Sequence, residues 1–451
     1  MRHLIKGLEA DLTGFKCSFK TRKILEKLPN DLIDILNKIA QNNGGVWIVG
    51  GAVRDWLIGH TPEDIDLAVN LTPEQMLEIF PDAILTGENF GTLSLRGENC
   101  LYQATTLRTD GNYNDGRRPD NVFWGNSLKK DLERRDFTVN AMAIDVAREL
   151  LYDPHNGRSD ISRGLIRAVG NAHQRLSEDG LRIMRAFRFS DRKEDGVWEL
   201  ENSLEVSISQ LKHMLDNISR ERIFIEWKRI LSGQSSGIVI KKMALMGILD
   251  RFLIGRWDDK FAIFEALDYN LSLFDGLEKF SLILCENTIQ EVETICKELK
   301  MSKIERNRII SIHNRFGHIP KLNKHSIRRF RFVLQDFAIK HLMLEKIIID
   351  CKISIRGEGL TNHNLIIIDE IIDAVKNLEK QKTQSEPLAD GKWIMVQTGL
   401  QKGEKLGRLK SWLHTIQIER DLYDISQIEK VLSTLSWNNS DFKNWPELKF
   451  P

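Results

Sequence analysis

The sequence predicts an α+β protein, a head built on a mixed sheet with flanking helices and followed by an all-helical neck, body and tail. Before about residue 165, short apolar runs such as Val46–Val49, Thr92–Leu95 and Ala143–Val146 alternate with helical stretches. Beyond it the strand signal fades, and apolar residues recur at helical spacing through Leu181–Phe189, Ile223–Leu231, Ile238–Leu249, Leu365–Val375 and Leu406–Ile418. The 451 residues exceed the usual size of one core, and 41% hydrophobic content is enough to bury several. The expected division is a head over 1–165, a neck over 166–240, a body over 241–376 and a tail over 377–451. The polar run Asn377–Asp390 reads as a surface linker into the last helices.

Within the head, Gly50-Gly51-Ala52-Val53-Arg54-Asp55 is followed nine residues later by Asp64-Ile65-Asp66. A glycine pair without Cβ atoms lets backbone N–H groups approach a phosphate, and Ala52–Leu57 reads as the first turns of a helix whose N-terminus attracts anions. In an extended Asp64-Ile65-Asp66 the two carboxylates share one face and Ile65 takes the other, so two hard oxygen ligands converge as Mg²⁺ requires. Alone, a glycine pair usually makes a turn and an Asp-x-Asp a solvated strand edge. Together they resemble the first motif of the DNA polymerase beta nucleotidyltransferase superfamily. The wording GGAVRD resembles the branch of class II tRNA nucleotidyltransferases (CCA-adding enzymes) and bacterial poly(A) polymerases.

Further matches follow in order. Arg134-Arg135-Asp136-Phe137-Thr138-Val139-Asn140 resembles the second motif, with Arg135 for phosphate. Asp136 and Asn140, four apart, would hold a ribose hydroxyl or orient the guanidinium. Asp153-Pro154-His155-Asn156-Gly157-Arg158 has the residues of a tight turn and resembles a third, structural motif. Glu178-Asp179-Gly180-Leu181-Arg182 and the residues to Phe189 resemble the family's nucleotide-selecting helix. A row Asp179, Arg182, Arg185, Arg188 at spacing three rotates about the axis, so the four cannot all face one small ligand. The resemblance implies that Asp179 and Arg182 read the base edge of CTP or ATP, while Arg185 and Arg188 turn toward phosphate, RNA or a domain junction. The bland alternative is an i,i+3 salt-bridge ladder on a solvated helix. Ser219–Leu231 resembles the bracing helix, with Ser219 as N-cap and Ile223, Trp227 and Ile230 as an apolar stripe.

One position departs from the family. Gln103 stands in Tyr102–Arg108 where a third carboxylate, Glu, is usual, and an amide can neither act as a charged metal ligand nor serve as a general base. Asp64 and Asp66 can still hold the metals, so catalysis is expected, although activity could be lowered. The loop Glu88–Ser94 resembles the element that in the family governs the switch to ATP.

Composition agrees with this reading. Five scattered cysteines without a CxxC pair suggest neither a disulfide framework nor a zinc site, and a reducing cytoplasm is expected. Charges interrupt the N-terminal segment, no run approaches the ~18 apolar residues of a membrane span, and no membrane partner is expected. The net charge of +1 does not exclude RNA, since the local field decides. Lys303–Arg315 reads as a solvated helix face, whereas Lys324–Phe332 interleaves arginine with phenylalanine and suits either a solvated face or a phosphate backbone. The glycines of Gly399–Lys410 resemble those of the family's tail and suit helix capping. The absence of a long basic C-terminal extension tilts the expectation from poly(A) polymerase toward tRNA as partner, with CTP and ATP as substrates and Mg²⁺ as cofactor. An RNA-binding protein with weakened catalysis is the alternative from another class.

Overall fold

Val46–Val49 alternates between two cores, and that alternation organises the head. In this computed structural model, which describes residues 4–87, 91–98, 100–110, 122–192, 195–257, 260–269, 273–353, 362–446 and 448, Ile48 joins one apolar cluster and Trp47 and Val49 join another. A strand places successive side chains on opposite faces, so a continuous apolar run means a sheet covered on both sides. The chain divides into two units, Met1–Leu253 and Ile254–Pro451.

The strands of the first unit are β1 (Phe15–Lys16), β2 (Val46–Val49), β3 (Asp66–Val69), β4 (Ile84–Gly87), β5 (Thr92–Arg96), β6 (Leu101–Thr106), β7 (Arg108–Asp110), β8 (Val122–Trp124), β9 (Ala143–Asp145), β10 (Leu150–Tyr152), β11 (Leu165–Ile166) and β12 (Glu199–Leu200). Among the described residues, eight form one mixed sheet in the order β1-β10-β9-β2-β3-β6-β5-β4. Only β3 and β6 run parallel in it, with Asp66 beside Gln103, while β2 and β3 run antiparallel with Val49 beside Asp66. The Asn30–Gln41 helix buries Leu32, Ile35, Leu36 and Ile39 at helical spacing against Ile48, Leu67 and Val69. Leu128 and Leu132 cover Trp47 and Ala68 on the other face.

The helices Leu181–Ser190, Arg220–Leu231 and Ser236–Leu245 follow. The stripe Ile223, Trp227 and Ile230 is buried, as its spacing predicts. Ser219 occupies the N-cap position, but its side chain makes no capping hydrogen bond. The strand signal does not end at residue 165: Glu199–Leu200 pairs in parallel with Leu165–Ile166, a two-residue ladder too short to leave a period in the sequence.

Among the described residues the second unit is helical. Ser302 with Glu305, Thr288 with Glu291, and Asp275 with Glu278 form capping boxes that start successive helices. Glu278 is also buried, where Arg308 at 2.8 Å and Lys340 at 3.3 Å neutralise it. Two of its cores gather around Phe330, Leu342 and Ile368 and around Ile394, Leu409 and Ile428. The stretch 377–390 carries no regular structure but is tied down: Gln381 donates to the Ile418 carbonyl at 3.0 Å and the Leu388 N–H to Gln417 at 2.9 Å. Gly399, at φ 72°, closes the Gly391–Thr398 helix and Gly403 opens the Glu404–Arg420 helix, the capping use expected of them. All five cysteines are unpaired, and no described helix is long and apolar enough to cross a membrane.

Trp227 is fully buried with Phe252 edge-on at 5.4 Å, so Trp227→Ala leaves a cavity that helices Leu181–Ser190 and Arg220–Leu231 cannot close. The expected cost is about 3–5 kcal/mol. A urea titration followed by circular dichroism checks it, and an unmoved midpoint would show that this stripe does not support the first unit.

Candidate active site

The sheet register alone brings the first motif together. The antiparallel pairing of Val49 with Asp66 sets the Gly50–Gly51 turn beside the start of β3, and the parallel pairing of Asp66 with Gln103 adds β6. Gly50 has φ 73° and ψ −127°, a conformation that side chains strain to adopt, and a Cβ there would stand 3.1 Å from Arg135 Nη1. Its N–H donates to the Met142 carbonyl at 3.2 Å and its carbonyl accepts the Arg54 N–H. The donors left by helix geometry for a phosphate are therefore those of the first turn, beginning at Gly51, rather than that of Gly50 itself.

Asp64 lies two residues before β3, which begins at Asp66, so the acidic pair straddles the start of the strand rather than lying within it. Both carboxylates still line one cleft of about 640 Å³. Burial, then the charge of Asp64, raises the Asp66 carboxyl above its ordinary range against the pull of Arg135. A raised Asp66 carboxyl with a second acid beside it fits a divalent cation as countercharge. Gln103 lines the same cleft, and its amide donates to Ser94 Oγ at 2.8 Å and accepts from Thr86 Oγ1 at 3.2 Å. Among the described residues no group of three or more His, Cys, Asp or Glu could hold a metal ion, so Asp64 and Asp66 would act as a pair. Of the loop Glu88–Ser94, Glu88, Asn89 and Phe90 lie outside the described residues, while Thr92, Leu93 and Ser94 belong to β5.

Arginines dominate the rest of the cleft, and buried carboxylates hold them. Asp131 accepts from Arg134 Nε at 2.9 Å and from Arg135 Nη2 at 3.2 Å. Burial alone would raise the Asp131 carboxyl, but these two guanidiniums hold it below its ordinary range. Asp136 Oδ1 takes the Phe137 N–H and the Asn140 amide, while Oδ2 takes Arg185 Nε at 2.7 Å and Nη2 at 2.5 Å. Against burial, Arg185 holds Asp136 ionised, at about 2. Asn140 Oδ1 accepts from Arg54 Nη1 at 2.6 Å. Asp136 and Asn140 are thus bonded to Arg185 and Arg54 and not to the Arg135 guanidinium that the spacing suggested. Arg135 is oriented by Asp131, a residue that sequence reading missed although it stands four before Arg135.

The row Asp179, Arg182, Arg185, Arg188 differs from its predicted form. Asp179 is extended, at φ −149° and ψ 105°, and the helix begins at Leu181, so Asp179 is not a helical neighbour of Arg182. Its carboxylate accepts from Arg222 at 2.8 Å. Arg182 is buried and donates to Glu178 at 2.6 Å and to the Arg175 carbonyl at 2.6 Å. Arg188 pairs with Glu226 at 3.1 Å, and burial followed by repulsion from Arg185 lowers its guanidinium to about 10. Despite the rotation of the helix, Asp179, Arg182, Arg185 and Arg188 all line the one cleft. Glu178, Arg222 and Glu226, the partners of Arg182, Asp179 and Arg188, were not anticipated in these roles, and only the resemblance of 219–231 to a brace hinted at the last two.

Comparison with known proteins agrees with this geometry. Residues 46–167 match the Poly A polymerase head domain, and residues 199–255 match the "probable RNA and SrmB-binding site of polymerase A". The CCA-adding enzyme of Lactococcus lactis subsp. lactis (strain IL1403) is 30% identical over 393 residues, 85% of this chain and 92% of that enzyme. The CCA-adding enzyme of Listeria monocytogenes serotype 4b (strain CLIP80459) is 38% identical over 238 residues, 53% of this chain and 59% of its own length. The fold is similar to that of the Bacillus stearothermophilus CCA-adding enzyme solved in complex with CTP, with a TM-score of 0.70 at 24% identity over 90% of this chain and 97% of that one. It is also similar to the Thermotoga maritima CCA-adding enzyme complexed with tRNA, with a TM-score of 0.63 at 20% identity over 94% of this chain and 100% of that one. With 30% identity spread over nearly the whole of both chains, and with the glycine turn, the paired carboxylates and the arginine-lined cleft in one place, the chain belongs to the CCA-adding enzyme family.

Proposed function

We propose that this chain adds nucleotides from CTP and ATP to the 3′ end of tRNA without a nucleic-acid template. The observation that carries this reading is the single cleft in which Asp64 and Asp66 face a wall of arginines on the helix-side motifs. The RNA 3′-hydroxyl oxygen attacks the α-phosphorus of the nucleotide, the α–β bridging bond breaks, and pyrophosphate leaves. Asp64 and Asp66 would hold two Mg²⁺ ions, which when bound neutralise phosphate charge and acidify the attacking hydroxyl. Gly50 and Gly51 shape the turn that receives the triphosphate, and Arg54, Arg135, Arg185 and Arg188 supply cationic groups along the cleft. Asp136 and Asn140 keep two of those groups aimed; Asp136 serves the ribose only by exchanging one of its present hydrogen bonds, whereas the Asn140 amide keeps a second N–H for it. Asp179 and Arg182 are assigned the base edge.

We retain the division into head (1–165), neck (166–240), body (241–376) and tail (377–451), with RNA held by body and tail, and a cytoplasmic setting. A poly(A) polymerase is the second reading, favoured by the head-domain match. Extension of an unstructured oligoadenylate as readily as of tRNA would select it. The family resemblance covers enzymes that add all three nucleotides, the two C residues, or the terminal A.

Asp64→Ala or Asp66→Ala is expected to abolish nucleotide incorporation while tRNA affinity and folding stay near wild type. Turnover retained by either variant would remove these residues from the chemistry.

Gln103→Glu restores the third acid beside Asp66 and is expected to raise the single-turnover rate with a tRNA acceptor. A rate that stays level or falls would mean that the Thr86–Gln103–Ser94 hydrogen bonds, not a missing base, define this strand position.

Arg182→Ala removes donors at the base edge, and a lost bidentate-type contact is worth about 1–3 kcal/mol of discrimination. Selection of CTP and ATP over UTP and GTP should fall by about ten- to a hundredfold, measured as incorporation efficiency for each triphosphate. Because Arg182 also ties Glu178 and the Arg175 carbonyl, the melting temperature is recorded alongside. Intact discrimination in a folded variant would leave this helix a purely structural element.

A further inference from the structure

We propose that Phe189 is a positioning residue for the triphosphate, its ring gathering three guanidiniums that would otherwise drive one another apart. This rests on the nucleotidyltransfer reading and adds to it a residue that never needs to touch the reacting atoms. Phe189 lines the cleft, with the Cζ atoms of Arg54, Arg185 and Arg188 at 5.1, 5.0 and 4.2 Å from its ring centroid. Phe137 meets the ring edge-on at 6.0 Å and 74°, which fixes its tilt. A polar acceptor holds each guanidinium as well: Asp55 and Asn140 for Arg54, Asp136 for Arg185, and Glu226 for Arg188.

Those acceptors do not balance the charge. Asp55 is shared with Arg192, and Glu226 is shared with Arg185 and Arg229. Arg54, Arg185, Arg188 and Arg192 therefore stand against Asp55, Asp136 and Glu226 in a partly desolvated space, and the more exposed Arg229 adds to the excess of cations. Burial and the neighbouring Arg192 lower the Arg54 guanidinium, and burial and Arg185 lower that of Arg188, whereas against burial Asp136 and Glu226 raise that of Arg185. Carboxylates filling every gap would cancel the field that a triphosphate needs. An aromatic face attracts a cation through its quadrupole and adds no net charge, so it steadies the arginines and leaves the cleft positive. Leucine fills much of the volume and supplies no quadrupole, whereas tyrosine keeps the ring.

The test uses the full chain and reads binding apart from turnover. Calorimetric titration with CTP, ATP and inorganic pyrophosphate in magnesium buffer is carried out on wild type, Phe189→Leu and Phe189→Tyr, alongside steady-state incorporation into tRNA. Phe189→Leu is expected to weaken all three ligands alike, by about tenfold, or ~1.4 kcal/mol. Its KM for both nucleotides should rise together while kcat changes far less, and Phe189→Tyr should bind within about twofold of wild type. Wild-type affinity for pyrophosphate in a folded Phe189→Leu variant would overturn the inference, as would a Tyr variant as impaired as the Leu variant. A wild-type chain that binds neither CTP nor ATP would instead bring down the nucleotidyltransfer reading itself.

Discussion

Mutual repulsion among guanidiniums is the constraint on which this site depends. A cleft meant for a triphosphate must concentrate cations in a place that water only partly reaches, and such an arrangement opposes folding unless something holds it. Three buried acids do so, two from the 131–136 segment and one from the Arg220–Leu231 helix. Asp131 secures Arg134 and Arg135 from the preceding helix, Asp136 secures Arg185, and Glu226 secures Arg188 with a weaker hold on Arg185. The second and third also join the sheet-bearing segment to the Leu181–Ser190 helix and that helix to the Arg220–Leu231 helix. The ion pairs that aim the arginines are thus the ones that fasten these elements of the first unit together. Removing one partner would leave the other as a buried unpaired charge, and the loss would be felt as stability and as nucleotide affinity at once.

The other half of the cleft follows from backbone register and needs little charge. Val49 beside Asp66, and Asp66 beside Gln103, set three motifs distant in sequence at one end of adjacent strands. Because successive side chains alternate, the residues that face the cleft at this end of the sheet continue further along each strand into the core around Trp47 and Ala68. Packing of that core fixes the position of the acids. The positive φ of Gly50 has a similar logic, since it turns the chain from β2 into a helix N-terminus while leaving room for Arg135.

How much of this was legible in the sequence depended on how local each feature is. The glycine turn, the acidic pair and the apolar strands could be read because their geometry is decided within a few residues. The mixed-sheet head and helical remainder could be read because burial imposes a period. Asp131 was missed although its i,i+4 spacing to Arg135 was visible, because nothing in the chain announces that the segment is helical and buried. Glu226 and Phe189 could not be found from the sequence, because their partners are distant in it or depend on the angle of a ring. The basic run Lys324–Phe332 teaches the same lesson from the other side. Arg331 donates to the carbonyls of Val375 and Leu378, and Arg328 to that of Glu419, so these side chains cap the ends of neighbouring helices. Charge and aromatic spacing could not distinguish that use from contact with a phosphate backbone.

The central claim is that protein side chains in one cleft choose and join the nucleotides. The most direct measurement is incubation of the purified chain with a tRNA lacking its 3′ CCA, each labelled triphosphate separately and in combination, with products resolved at single-nucleotide length. Incorporation confined to C and A, at defined positions and ending at or before the third nucleotide, is the expected result. Incorporation of U or G at comparable efficiency, unlimited extension with A, or no incorporation at all would contradict it.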